Sequence, residues 1–205
     1  MFRVIDFVVL IRLVAVGTTV LTLLLYAFIE RCFPQVLTMV RPFTLAPTIA
    51  LVLTFLLTSK WISRRIWKIA RFFNGSLYPD LNGVWEGEIV FEDGKGRLQA
   101  RAVIRQFLLN TEIDMHTETA RSSTLEATPV INSGQFKLYY TYSTKPKEPG
   151  YGTYTGSTIF DIRLIADGKK KSFELSGYYY TDRATRGRTR LRQISSDTNS
   201  DVSFY

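Results

Sequence analysis

The 205-residue chain has one cysteine, Cys32, and one histidine, His116. A single cysteine excludes a disulfide within the chain, and one Cys with one His cannot build a structural zinc site. His116 alternates with apolar residues in "TEIDMHTET", which predicts an exposed, outward strand position. A Ser-His-Asp or Cys-His device therefore has no base. The sequence contains no Walker-type lysine loop, no G-x-S-x-G elbow and no H-E-x-x-H. Glu86 and Glu88 fall two apart on an alternating stretch, point the same way and read as solvated. These absences predict a protein that binds without turning over: not an enzyme, with no cofactor and no metal. Cys32 abuts an apolar segment and reads as a buried or lipid-edge thiol.

Excess negative charge is missing too, and its absence is local. The net charge is +8. Residues 1–71 carry nine Lys/Arg against Asp6 and Glu30, whereas residues 72–205 carry 17 against 16. A generally basic, DNA-coating domain is disfavoured, so no DNA or RNA polymer is expected as partner. The excess belongs to the hydrophobic first third and bears on membrane topology.

Within that third, "LVAVGTTVLTLLLYAFI" (Leu13 to Ile29) has no charge, and "FTLAPTIALVLTFLLTSKWI" (Phe43 to Ile62) has only Lys60. A bilayer core about 30 Å thick needs roughly 20 apolar residues at 1.5 Å each. The expectation is a two-helix transmembrane hairpin over residues 1–71, with spans near 10–29 and 43–62 and breaks at Pro34 and Pro42. A signal peptide is disfavoured, because no small-x-small cleavage site follows Ile29 and a second apolar segment comes soon after. Neither segment holds an acid or histidine at mid-depth, which argues against a proton-coupled transporter. The run "KWISRRIWKIARFF" carries five cations, no acid and two tryptophans, and reads as a cytoplasmic boundary. The N-terminus and residues 72–205 are thus placed on the cytoplasmic side of the membrane.

From Gly83 the period changes to two. Trp85, Gly87, Ile89 and Phe91 alternate with Glu86, Glu88 and Glu92; Leu98, Ala100, Ala102 and Ile104 with Gln99, Arg101 and Arg105. The pattern returns in "TEIDMHTE", "SSTLEATPV", "QFKLYYTY", "TIFDIRLI" (Phe160, Ile162 and Leu164 on one face), "SFELSGYYY" and a final arginine-rich strand. Turn signals stand at Asp93-Gly94, Asn132-Ser133-Gly134 and Asp167-Gly168. "VIRQFLLNTEI" has none, so the second and third strands read either as separate or as one bent strand. Eight consecutive antiparallel strands with no room for a crossover helix predict a small eight-stranded up-and-down β-barrel, lipocalin-like, over residues 72–205, with a sandwich as the alternative. Trp85, near the start of the first strand, resembles the tryptophan that plugs the closed end of lipocalin-like barrels. "STKPKEPGYGTYTGS" (Ser143 to Ser157) reads as the longest loop and a candidate lid. In the last strand Arg186, Arg188, Arg190 and Arg192 share parity and are assigned to the outer face.

Two spans followed by such a barrel, together with "LNGVWEGEI", "VIRQFLLNTEIDMHTETARSST" and "SGYYYTDRATRGRTRL", resemble the two-transmembrane, β-rich effectors of CBASS, the bacterial anti-phage systems built around cGAS/DncV-like nucleotidyltransferases. The resemblance covers essentially the whole chain. It implies a barrel that receives a cyclic di- or trinucleotide made by a cognate nucleotidyltransferase, self-association, disruption of inner-membrane lipid and abortive infection. A ligand with two phosphates and two flat bases calls for cations, hydroxyls and aromatic faces. Gln106, Thr111, Thr117, Thr119, Tyr140, Tyr142, Tyr179 and Arg183 have that chemistry at inward or rim positions, and Tyr151 and Tyr154 sit where a lid would fold over. A membrane-tethered lipid- or fatty-acid-binding barrel is the alternative, against which the inward threonines and tyrosines count.

Overall fold

A computed structural model describes residues 7–32, 42–59, 62, 64–67, 69, 78–92, 96–107, 110–167 and 170–204. Two helices come first, α1 (Phe7–Cys32) and α2 (Pro42–Thr58). Within α1, Ile11–Cys32 is 22 residues long and almost none of it is covered. At 1.5 Å per residue that is about 33 Å, enough to cross a bilayer core. Threonine hydroxyls inside it are satisfied locally: Thr18, Thr19 and Thr22 each donate to the carbonyl four residues back, at 2.7, 3.0 and 2.7 Å. A Cβ on Gly17 would lie 3.8 Å from Leu53 Cδ1, so α1 and α2 approach closely there.

The second helix departs from expectation. Its apolar stretch is Leu45–Thr58, 14 residues, or roughly 21 Å. Among the described residues, one helix is long and apolar enough to cross a membrane, not the two of the expected hairpin. Lys60 and Trp61, which the expected span included, lie outside the described residues. Cys32 closes α1 with an exposed side chain.

The eight strands are β1 (Gly83–Phe91), β2 (Arg97–Gln106), β3 (Thr111–Thr117), β4 (Ala120–Asn132), β5 (Gln135–Pro146), β6 (Tyr154–Asp167), β7 (Lys170–Thr181) and β8 (Arg186–Ser195). Each pairs antiparallel with the next, and β1 pairs with β8, closing a barrel. The sandwich alternative is thereby excluded. Between β2 and β3 the chain turns tightly, with Phe107 N donating to Asn110 O at 2.7 Å, so these are two strands. At Ser133–Gly134 both φ values are positive (49° and 75°), the two-residue turn whose twist suits a hairpin. The turns at Asp93-Gly94 and after Asp167 lie outside the described residues.

Pairing around the ring is uneven. β4 and β5 share twelve register pairs, from Ala120↔Pro146 to Asn132↔Gln135. β3 and β4 share three: Asp114↔Ser123, Met115↔Ser122 and His116↔Arg121. Beyond them Thr124 Oγ1 accepts from Ile113 N (2.6 Å) and donates to Ile113 O (2.8 Å), doing with a side chain what a ladder would do. Pro129 lies past the last β3–β4 pair, where an absent N–H is tolerated.

Inward residues follow the predicted parity. Trp85, Ala102, Ile104, Leu138, Tyr140, Phe160, Leu175 and Leu191 form one core cluster. Leu164 breaks the pattern: it is exposed, because β6 runs on past the barrel interior. At one end the barrel is plugged by Trp85, whose Nε1 donates to Leu81 O at 2.9 Å, and by Tyr78, whose hydroxyl donates to Lys137 O at 2.9 Å. Trp67 and Leu57 join the same cluster, so the segment arriving from α2 rests on this closed end.

The arginine row does face outward. Arg190 pairs with Glu174 (2.7 Å), Arg186 with Glu92 (2.5 Å), and Arg188 donates to Ser176 Oγ (3.1 Å). These cations link β8 to its neighbours β7 and β1.

After β8 the chain crosses the outside of β1–β3 as a tail. Val202 is buried against Val84 and Val103. The Phe204 ring lies 4.6 Å from the Arg101 guanidinium, and its carbonyl accepts from Lys147 Nζ at 2.6 Å. His116, expected to be exposed, is buried. Its side chain points outward as predicted, but Asp201 of the tail faces it, and Nε2 lies 3.1 Å from Asp114 Oδ1.

Candidate functional site: the barrel mouth

Strand direction defines the mouth. The plugged end gathers the start of β1 and the ends of β2 and β8. The opposite end gathers the end of β1, the start of β6 and the β3–β4, β5–β6 and β7–β8 connections. A cavity of about 80 Å³ opens there. Its polar lining is hydroxyls: Thr117, Thr119, Thr144, Thr158, Thr181, Thr185, Thr189, Ser122 and the tyrosines 140, 142, 154 and 179. Ile89, Phe91, Leu98, Met115 and Phe160 supply apolar walls, and among the described residues no charged side chain lines it.

The tyrosines are positioned by register. Tyr140 and Tyr142 are successive inward residues of β5, with ring centroids 5.0 Å apart, and Tyr140 stacks on Phe160 of β6 at 6.2 Å. Tyr142 lies across β6 because its partner there is Gly156. Burial pushes the Tyr140 and Tyr142 hydroxyls well above their ordinary pKa. Both therefore stay protonated and can donate. The Tyr140 hydroxyl is enclosed beside Thr124 and poorly matched, since the good hydrogen bonds of Thr124 go to Ile113. A buried hydroxyl left unmatched is costly, and this one borders the cavity.

At the rim, the β7–β8 turn is tied to the start of β6. Asp182 Oδ2 accepts from Thr155 N (2.8 Å) and Thr155 Oγ1 (2.9 Å). Arg183 donates to Gly152 O and lies over the Tyr154 ring, 4.4 Å from its centroid. Those hydrogen bonds hold the Asp182 carboxyl below its usual range.

The structure brings together Thr117, Thr119, Tyr140, Tyr142 and Tyr179 as cavity lining and sets Arg183 on the rim. Gln106 and Thr111 lie instead at the closed end. Gln106 Oε1 accepts from Leu81 N at 2.8 Å, and its backbone N donates to Asn82 Oδ1 at 2.8 Å. Thr111 is its register partner. Parity puts both inside the barrel, but parity does not say which end. Tyr151 is exposed and does not line the cavity. The expected long lid is also corrected: β5 continues to Pro146 and β6 begins at Tyr154, leaving residues 147–153 as the loop. Ser122, Thr144, Thr158, Thr185 and Thr189 were not singled out from sequence, although Thr144, Thr158 and Thr189 share parity with Tyr142, Phe160 and Leu191. Among the described residues no cluster of His, Cys, Asp and Glu fit for a metal occurs.

Residues 76–193 match the family described as Cap15, cyclic dinucleotide receptor domain. The chain is also 30% identical to CD-NTase-associated protein 15 of Staphylococcus schleiferi over 132 residues, which is 62% of this chain and 67% of that relative. The matched segment runs from just before Tyr78 to Gln193 and so takes in all eight strands and the mouth. On that match and that barrel, the chain belongs to the Cap15 cyclic dinucleotide receptor family.

Proposed function

We propose that this protein is a CBASS effector whose barrel mouth binds a cyclic oligonucleotide made by a cognate nucleotidyltransferase. The observation that carries the reading is the mouth cavity, lined by hydroxyls and stacked tyrosines at the end opposite the Trp85 plug. Thr117, Thr119, Tyr140, Tyr142 and Tyr179 are its proposed contacts, with Arg183 at the rim. Tyrosine faces suit bases, and hydroxyls can donate to or accept from base edges and phosphates. The 80 Å³ cavity holds two or three waters at roughly 30 Å³ each. A lipid carrier would need a dry apolar interior, which twelve lining hydroxyls do not provide.

The output we assign is membrane disruption after self-association in the bacterial inner membrane. α1 supplies a helix of spanning length, and α2, packed beside it, completes the membrane unit with the barrel on the cytoplasmic side. Residues 1–71 are the membrane unit and 72–205 the receptor, which acts without catalysis. The full chain in detergent, melted against a panel of cyclic di- and trinucleotides, tests the reading. A ligand at 100 times its Kd stabilises by about 2.7 kcal/mol. A folded protein that none of them stabilises rejects it. Dye release from anionic liposomes that requires both ligand and α1 tests the output.

A further inference from the structure

Among the described residues the cavity lining has no charge, whereas a cyclic dinucleotide carries two phosphates, and phosphate calls for charge-assisted donors. Several cations of the barrel wall are already committed. Arg186 pairs with Glu92, Arg190 with Glu174, Arg97 with Glu88 and Arg121 with Asp114. Two cations at the mouth differ, because among the described residues the side chain of each donates to a backbone carbonyl beside an aromatic ring rather than to a carboxylate. Arg183 donates to Gly152 O over Tyr154. Lys147 Nζ donates to Phe204 O at 2.6 Å, 5.8 Å from the Phe204 ring centroid. The neighbouring carboxylate of Asp182 accepts its hydrogen bonds from Thr155, while the Arg183 charge helps to hold it ionised.

Both cations border one loop. Lys147 is the first residue after β5, and Gly152 and Tyr154 close the loop at β6. Lys147 is fixed at the rim by its backbone N, which donates to Thr119 O at 2.9 Å. Thr119 and Tyr154 both line the cavity.

We infer that Lys147 and Arg183 form a two-cation phosphate clamp across the β5–β6 loop, each stored on a neutral partner until the ligand arrives. This rests on the cyclic-nucleotide reading. A phosphate oxygen carries full charge and displaces a carbonyl, since hydrogen bonds between ions are about twice as strong as neutral ones. A ligand with two phosphates engages both cations; a mononucleotide engages one. The transfer of Lys147 also frees the carbonyl of the tail's Phe204, so occupancy of the mouth is reported on the outer wall of β1–β3.

The test is calorimetric titration of the full chain in detergent. The probe is whichever of cyclic di-AMP, cyclic di-GMP, cyclic GMP–AMP and cyclic UMP–AMP most raises the wild-type melting temperature. Lys147→Gln and Arg183→Gln should each weaken binding about tenfold or more and flatten its salt dependence. Lys147→Arg should retain most of the affinity. Lys145→Gln, an exposed neighbour paired in register with Arg121, should stay within about twofold of wild type, well short of the loss expected from removing a charged hydrogen bond. If either clamp variant binds as wild type does, or if Lys145→Gln loses as much as they do, the clamp is overturned. If no cyclic dinucleotide binds the wild type, the cyclic-nucleotide reading itself falls and takes the clamp with it.

Discussion

Gly156 stands opposite Tyr142 across the β5–β6 pair, and a Cβ in its place would fall 2.5 Å from Tyr142 Cζ. The absent side chain is what lets the ring lie over β6 at the edge of the cavity. Gly156→Ala should push the ring into the cavity, cost about 1–3 kcal/mol as overpacking does, and weaken cyclic-nucleotide binding more than tenfold. Thermal melts and calorimetry on one sample separate the two effects.

Tyr140→Phe should behave in the opposite way. Removing a hydroxyl that is enclosed and poorly matched in the fold should leave stability unchanged or raise it by up to about 1 kcal/mol. If that hydroxyl serves the ligand, affinity falls while the melting temperature does not. Urea unfolding paired with titration reads both.

Trp85→Ala should cost about 3–5 kcal/mol, the range for removing a buried tryptophan. The indole is fully buried, and its N–H is matched to Leu81 O. Trp85→Phe should cost less but leave that carbonyl without its donor. Denaturant midpoints of the two variants against wild type check the order.

Below about pH 4 the mouth turn should loosen. The Asp182 carboxyl is held below its ordinary value by donors from Thr155, and that of Asp201 by donors from Ser203. A depressed carboxyl contributes stability above its unfolded pKa, near 4, and loses it as pH falls through the lower folded value. Stability should therefore be insensitive to these groups from pH 5 to 8. Asp182→Asn should mimic the acid state at neutral pH, read as faster hydrogen exchange at the Thr155 amide.

Alternation exposed the barrel because a closed, one-layer sheet buries one parity on every strand, as Trp85, Ala102, Tyr140 and Leu191 show. It failed where a side chain's fate depends on position along the strand or on a distant segment. Gln106 and Thr111 share the parity of the cavity residues, yet the register carries them to the plug. His116 faces outward, yet it is covered by a tail whose sequence, "SSDTNSDVSFY", has only Val202 and two aromatics to betray docking. Pro146 and Tyr154 look like loop chemistry, but each sits at a strand end, where Pro needs no ladder donor. The length of α2 was overread because composition does not mark where a helix stops.

A continuous hoop of hydrogen bonds has a definite place where it parts first, and the three-pair join of β3 to β4 is that place. Parting there breaks the fewest bonds and turns a closed surface into one with two raw edges, each a template for a strand from elsewhere. Thr124, clasped to Ile113, acts as the hasp on that seam. Thr124→Val should speed exchange at the Ile113 amide while leaving the β4–β5 amides protected. Equal acceleration on both seams would show that the hoop yields everywhere at once.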